Sequence, residues 1–193
     1  MIEINENEIK EISLKIKTIV IDSEGIDATA EDVVGLLSRI FDGENVSEDE
    51  INDIIGKDES SEIELCTEGE LAVNREGCVE ISYLENEDDE QIKTLSKIIF
   101  SPSDTGLVIM TKEGAMNTVL SFEEGKTHIC TYDTPFMPIK VYVNASLVDN
   151  RLLSDGELRL NYVLSLNDTE PQHFIVEVKI KEEPQDFLRE LLS

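Results

Sequence analysis

Hydrophobic and polar residues alternate at several points along the chain, and this period of two is typical of a strand with one buried face. Near the start, Ile12, Leu14 and Ile16 alternate with serine and lysine. Residues 157–167 and 172–182 repeat the pattern with leucine, valine and isoleucine on one side. Turn-forming glycine, proline and asparagine separate these and the intervening segments. The pattern therefore predicts a long series of short strands.

A helical pattern interrupts this series between the first and second predicted strands, at residues 27–60. Apolar residues recur every three or four positions from Val33 to Phe41, which is the stripe of an amphipathic helix. Ser47 and Glu50 then form a capping box before an isoleucine-rich turn. We expect an acidic helical hairpin here, inserted into a β-protein.

Most of the predicted strands are joined by short turns, which indicates an antiparallel meander. A flat sheet of this width would curl, and closure removes its exposed edges. We therefore expect one mainly β domain over residues 1–193, a single antiparallel barrel of about eight to ten strands. It carries the hairpin insert at 27–60 and a short C-terminal helix that starts at Pro184. A two-sheet sandwich is the alternative.

The chain is strongly acidic, with 43 Asp and Glu against 16 Lys and Arg and a formal net charge of −27. This charge disfavours nucleic acid and anionic membrane surfaces, because both are negatively charged. It favours solubility and would attract a basic protein partner.

Targeting and redox features predict a cytoplasmic protein. No apolar run approaches the roughly 20 residues that a bilayer-spanning helix needs, and the start lacks the basic and apolar regions of a secretory signal. Three cysteines, an odd number widely spaced along the chain, do not form a disulfide framework. We expect reduced thiols and no membrane association.

Candidate chemistry concentrates in residues 121–143, where His128 and Cys130 lie two positions apart on one predicted strand. A metal site needs three or four converging ligands, and His173 falls in register with solvent-facing residues. In a catalytic Cys–His pair the two side chains must be in contact. Side chains at positions i and i+2 of one strand instead point the same way and lie about 7 Å apart. We therefore interpret both as residues of the barrel wall, and predict neither an enzyme nor a bound metal or cofactor.

Several short motifs occur in a fixed order along the chain. They are Thr67-Glu68-Gly69, Ser82-Tyr83, Gly114, Phe122 with Gly125, and Tyr132 with Thr134. This series resembles the YwiB-like family of bacterial proteins of unknown function. The resemblance implies a calycin, lipocalin-like β-barrel and no known catalytic residues. The family typically has arginine where this chain has Lys112, glycine where it has Met137, and a short turn in place of the insert.

Two functions from different classes remain as alternatives. The first is a non-catalytic carrier or sensor whose lumen holds a small, mostly apolar ligand, with Tyr83, His128, Tyr132 and Tyr162 as ligand-binding residues. The second is a protein interaction module, in which side chains fill the barrel and the acidic insert docks a basic partner. An internal cavity of about 300 Å³ or more would favour the carrier, and a filled interior would favour the module.

Overall fold

In the part of the chain that the structure describes, ten antiparallel strands form one closed barrel. A computed structural model describes residues 9–22, 60–86, 93–114, 116–134, 136–166 and 171–181, with only the backbone described at Ser60 and Asn86. Strands adjacent in sequence pair with each other, and β1 pairs with both β2 and β10, which closes the sheet. The strands are β1 Lys10–Asp22, β2 Ser60–Val73, β3 Val79–Asn86, β4 Lys93–Ser101, β5 Asp104–Glu113, β6 Asn117–Glu123, β7 Thr127–Asp133, β8 Pro138–Arg151, β9 Glu157–Leu166 and β10 Gln172–Ile180.

The predicted closed antiparallel barrel is therefore confirmed, in preference to the sandwich, and its ten strands reach the upper end of the expected number. One difference concerns β2. The pattern predicts separate segments at 61–68 and 70–74, but a single strand runs through Gly69. The glycine fits inside this strand because it pairs on both sides, with Ile12 of β1 and Tyr83 of β3.

The predicted helices lie outside the described residues. This applies to the hairpin at 27–60, apart from Ser60 at the start of β2, and to the helix that starts at Pro184. None of the described ranges contains a helix long and apolar enough to cross a bilayer.

The two ends of the barrel differ in the connections between strands. At one end, here called the turn end, short turns join β2 to β3, β4 to β5, β6 to β7 and β8 to β9. Gly77 and Gly156 supply positive φ angles of 79° and 72° in two of these turns, a backbone conformation that glycine adopts without steric cost. At the other end, here called the mouth, β1 connects to β2, β3 to β4 and β9 to β10 through residues outside the described ranges.

The hydrophobic core lies inside the barrel and extends from the turn end toward the mouth. Every second residue of each strand faces the lumen, as the alternating pattern predicts. Phe122 of β6 and Tyr162 of β9 meet across the lumen with ring centroids 4.7 Å apart, and Tyr162 stacks on Phe174 at 5.1 Å. Fully buried lumen residues around this stack include Leu14, Ile81, Ile98, Val108, Val143, Leu160 and Val178. Side chains therefore fill this part of the interior.

Candidate functional site

One row of lumen-facing side chains near the mouth is polar, whereas the row below it is apolar. The pairing of β3 to β7 defines the polar row as Tyr83, Ser96, Lys112, Thr118 and Tyr132. The next row toward the turn end is Ile81, Ile98, Met110 and Leu120. On each strand, the change from polar to apolar therefore occurs between two successive lumen-facing residues, which are two positions apart in sequence.

Glu85 links two members of the polar row, Ser96 and Lys112, into a hydrogen-bonded group. It lies two positions beyond Tyr83 on β3 and so faces the same way. Lys112 Nζ donates to Glu85 Oε2 at 2.8 Å, and Ser96 Oγ donates to Glu85 Oε1 at 2.7 Å. The side chains of Lys112 and Glu85 are 44% and 24% exposed, respectively, so this ion pair is open to water at the mouth.

Tyr83 completes this group and remains protonated at neutral pH. Burial raises the pKa of the Tyr83 phenol, and the negative charge of Glu85 raises it further. The Tyr83 hydroxyl lies near the side chains of Ser96 and Glu85, which both influence its pKa. The group thus presents an ammonium, two hydroxyls and a carboxylate to the lumen, a combination that can both donate to and accept from a ligand.

Gly114 lets two strands meet closely beside this group. A Cβ atom at Gly114 would lie 2.5 Å from Oγ1 of Thr94, far inside normal contact distance. Thr94 is buried and stands opposite Glu85 in the pairing of β3 with β4. The motif glycine is therefore explained by packing at the rim of the mouth.

Tyr132 and Tyr162 lie on the opposite side of the mouth. Tyr162 is buried within the aromatic stack, and Tyr132 is partly buried at the end of the polar row. Burial raises the pKa of both phenols. Tyr132 makes a smaller electrostatic contribution to the raised pKa of Tyr162, and Cys130 makes one to the raised pKa of Tyr132. Tyr132 is therefore close enough to Tyr162 to influence its pKa.

His128 is set apart from the three tyrosines. It occupies a lumen position opposite Val143, but it is four residues from Tyr132 on β7, about 13 Å along the strand toward the turn end. Its Nε2 atom is 3.6 Å from Oε2 of Glu123 and is buried without a hydrogen bond in the described part of the chain. In those same ranges, no three His, Cys, Asp or Glu side chains converge as metal ligands.

The charged members of this group were not among the residues predicted from the sequence. Glu85 and Ser96 are two positions from buried lumen residues of their strands, and Lys112 is in phase with buried Val108, four positions away. Strict alternation therefore places all three in the lumen. The alternation in the sequence indicates that these side chains face the lumen. That they meet one another becomes visible only when the register between neighbouring strands is known.

Partly exposed hydrophobic side chains surround the group at the mouth. They are Leu65, Met110, Leu120, Leu166 and Phe174, all in lumen positions and packed against the buried core. Their exposure contrasts with the full burial of residues near the turn end. Among the described residues, the mouth thus combines partly exposed apolar side chains with one charged and hydroxyl-rich group.

Comparisons with known proteins agree on the fold and the family. The crystal structure of ywiB protein from Bacillus subtilis superposes with a TM-score of 0.55 at 16% identity, covering 90% of this chain and 94% of that one. At this identity the likeness shows the fold alone. A search of curated proteins finds no match. The family model "Domain of unknown function (DUF1934)" matches residues 50–178, most of the chain. The predicted resemblance is thereby confirmed, and the chain belongs to the DUF1934 family, a YwiB-like family of unknown function with a β-barrel fold.

Proposed function

We propose that this protein binds a small, mostly apolar molecule that carries one polar group, and that it does so at the mouth of the barrel. The observation that carries the proposal is the placement of Glu85, Lys112, Ser96 and Tyr83 inside the lumen, directly above apolar rows. Polar groups inside a barrel give up part of their hydration. A bound ligand that hydrogen bonds with them would compensate for that loss.

The filled turn end limits how deep the ligand can lie. The stack of Phe122, Tyr162 and Phe174 blocks the lumen below the mouth. The apolar part of the ligand therefore rests on partly exposed side chains such as Leu120, Leu166 and Tyr132. A filled lumen at this level by itself favours the interaction module, so the proposed ligand lies above the stack, at the mouth, and not within the lumen as in the predicted carrier.

The polar part of the ligand would contact the charged group. Lys112 and Tyr83 can donate hydrogen bonds, and Glu85 can accept them. The ion pair of Lys112 with Glu85 is partly exposed, and such pairs contribute about 1 kcal/mol or less, so a ligand can replace one partner at small cost. A net charge of −27 disfavours ligands with several negative charges.

Binding without chemical conversion suits this group better than catalysis. The Glu85 carboxylate already accepts hydrogen bonds from Lys112 and Ser96. A nucleophile activated by an adjacent base would need a different arrangement. Docking of a basic protein by the insert at 27–60 stays a separate proposal, since that segment lies outside the described residues, and cytoplasmic location stays a prediction.

Two measurements test the proposal. Native mass spectrometry of gently purified protein should show a bound small molecule that denaturation releases. Titration with 8-anilinonaphthalene-1-sulfonate, an apolar probe with one anionic group, should show enhanced fluorescence, and Lys112→Met should weaken binding about tenfold, the value of one charged hydrogen bond.

Lys97→Met is the matched control for Lys112→Met. Lys97 lies on β4 and forms an ion pair with Glu80 at 3.0 Å on the outer face of the barrel. Its loss removes the same charge without touching the lumen, so probe affinity should be unchanged. Equal weakening by both substitutions, or an absence of any probe binding, would overturn the proposed function.

A further inference from the structure

The ion pair of Lys112 with Glu85 at the mouth is neutral as a whole and is reached by water. Lys112 Nζ lies 2.8 Å from Glu85 Oε2, and the two side chains are 44% and 24% exposed, respectively. In a chain with a net charge of −27, the pair places one positive charge directly beside one negative charge. A ligand that reaches this point therefore meets a hydrogen-bond donor and an acceptor together.

The two ions of this pair differ in how firmly they are held. Ser96 Oγ donates to Glu85 Oε1 at 2.7 Å, and Ser96 is only 1% exposed. This hydrogen bond fixes one carboxylate oxygen of Glu85 and leaves the other, Oε2, turned toward Lys112. Lys112 is the more exposed partner and ends a flexible stem of methylene groups. Lys112 can thus move aside while Glu85 keeps its position, which opens space between the two charges.

The charge of the ligand's polar group decides whether both ions keep a favourable partner. A carboxylate would hydrogen bond with Lys112 but would also face Glu85, and an amine would bond with Glu85 but face Lys112. Like charges at such short distances repel each other. A neutral group that both donates and accepts can lie between the two ions, and its hydrogen bonds are strengthened because each has a charged partner.

A primary carboxamide combines the two required functions in one planar group. Its oxygen can accept from Lys112 Nζ, and its N–H can donate to Glu85 Oε2. The neighbouring side chains suit a hydrocarbon chain attached to that amide. Met110, two positions before Lys112 on β5, pairs with Leu120 of β6, and both are partly buried in lumen positions. A chain that covers them removes apolar surface from water.

We propose that the mouth binds an unbranched aliphatic primary amide, with the amide between Lys112 and Glu85 and the hydrocarbon chain over Met110 and Leu120. This inference rests on the function proposed above and specifies the ligand class for the same site. Each ion then keeps a hydrogen-bond partner when the ligand is bound. Ser96 is a positioning residue, because it acts on the ligand through Glu85.

The test compares octanamide, octanoate and octylamine, which have chains of equal length and differ in charge. Isothermal titration calorimetry with the full chain should show that octanamide binds about tenfold more tightly than either charged ligand, the value of one hydrogen bond to a charged group. Tighter binding of octanoate or octylamine than of octanamide would overturn the inference.

Single substitutions in the ion pair should switch this preference. Glu85→Gln removes the negative charge and leaves Lys112, so octanoate should become the ligand that binds most tightly. Lys112→Gln leaves Glu85, so octylamine should become the ligand that binds most tightly. Both replacements put a polar residue at a partly exposed position, so the barrel should remain folded. An unchanged order of affinities in both variants would contradict the placement of the amide between the two charges.

The ion pair of Lys97 with Glu80 on the outer face supplies the matched controls. Its charged atoms are 3.0 Å apart. Lys97→Gln and Glu80→Gln make the same changes in net charge outside the lumen, and octanamide should remain the tightest ligand in both. A switch of preference as large as that of the mouth variants would show that overall charge sets the preference, and would end the inference.

The amide inference and the proposed function fail in different ways. If none of the three ligands binds while 8-anilinonaphthalene-1-sulfonate still binds in a manner that depends on Lys112, the amide inference is wrong and the proposed function stands. If this probe does not bind either, both are wrong.

Discussion

The mouth and the turn end of this barrel are built from the same strands but carry different chemistry. On β6, Phe122 is fully buried near the turn end, whereas Leu120, one alternation step nearer the mouth, is only partly buried. On β3, Val79 is fully buried near the turn end, whereas Glu85 forms an ion pair at the mouth. The comparison indicates that the turn end contributes most of the packing and leaves the mouth available for binding.

Access to water explains why polar residues are tolerated at only one end. A charged group deep in a packed interior would lose its hydration, at a cost of several kcal/mol. At the mouth, Glu85 and Lys112 keep contact with solvent and with each other. The same residues placed beside Phe122 would have destabilised the barrel.

The largest expected effect is the loss of packing at the turn end. Phe122→Ala removes a ring that packs on Tyr162 across the lumen, and we expect the free energy of unfolding to fall by about 3–5 kcal/mol. Leu120→Ala, on the same strand and face, should cost less than about 2 kcal/mol because its side chain is already partly exposed. Urea denaturation of both variants measures the difference.

Equal losses in the free energy of unfolding for Phe122→Ala and Leu120→Ala would contradict the proposed difference between the turn end and the mouth. If Phe122→Ala does not fold, Phe122→Leu serves as the smaller change and should still be the more destabilising of the pair.

An intermediate effect is expected where strands approach closely next to the polar row. A Cβ atom at Gly69 would lie 2.7 Å from the backbone oxygen of Ser82 and 2.8 Å from Cδ1 of Leu14. Gly69→Ala should therefore destabilise the protein by about 1–3 kcal/mol. Gly106→Ala is the control, because the nearest atom to its Cβ is 3.5 Å away, and its stability should change by less than about 1 kcal/mol. Thermal unfolding distinguishes these outcomes, and similar values for both would remove the packing explanation of Gly69.

The effect that is smallest near neutral pH is that of the buried tyrosines, because it appears only above pH 10. Burial raises the folded-state pKa of Tyr83 and Tyr162 above the ordinary value of 10.0. The unfolded chain then releases these protons first, so their contribution to stability is complete below pH 10 and is lost as the pH rises further. We expect each tyrosine to lower the free energy of unfolding by about 1.4 kcal/mol per pH unit above pH 10. Urea denaturation at several pH values should show this decrease of the free energy of unfolding with pH. In Tyr83→Phe the decrease per pH unit should be smaller by the contribution of one tyrosine. An unchanged slope would mean that the Tyr83 hydroxyl reaches bulk water.

Much of the barrel could be predicted from local patterns. Alternation located β1, β9 and β10, and glycine placed the turns at Gly77 and Gly156, where φ is positive. The motif Thr134 also has a local explanation, because its hydroxyl donates to the carbonyl of Met137 and accepts from the Met137 amide. Such features depend on residues close in sequence, which is why the sequence shows them.

The candidate site was predicted only in part. The lumen positions of Tyr83, Tyr132 and Tyr162 follow from alternation. The group around Glu85 was missed, because its partner Lys112 is on β5 and their contact depends on the register of three strands. The separation of His128 from the tyrosines likewise follows from its distance along β7 from the mouth.

The sequence by itself determined the strands, their inward and outward faces and the acidic surface, because alternation and charge are local properties of the chain. Only the tertiary structure decided that Glu85, Ser96 and Lys112 meet inside the mouth and that Phe122 and Tyr162 close the lumen below them. These features depend on strand register and barrel closure, which bring together residues from different strands. Register and closure result from many weak strand pairings, and no short stretch of sequence contains both partners of such a pairing.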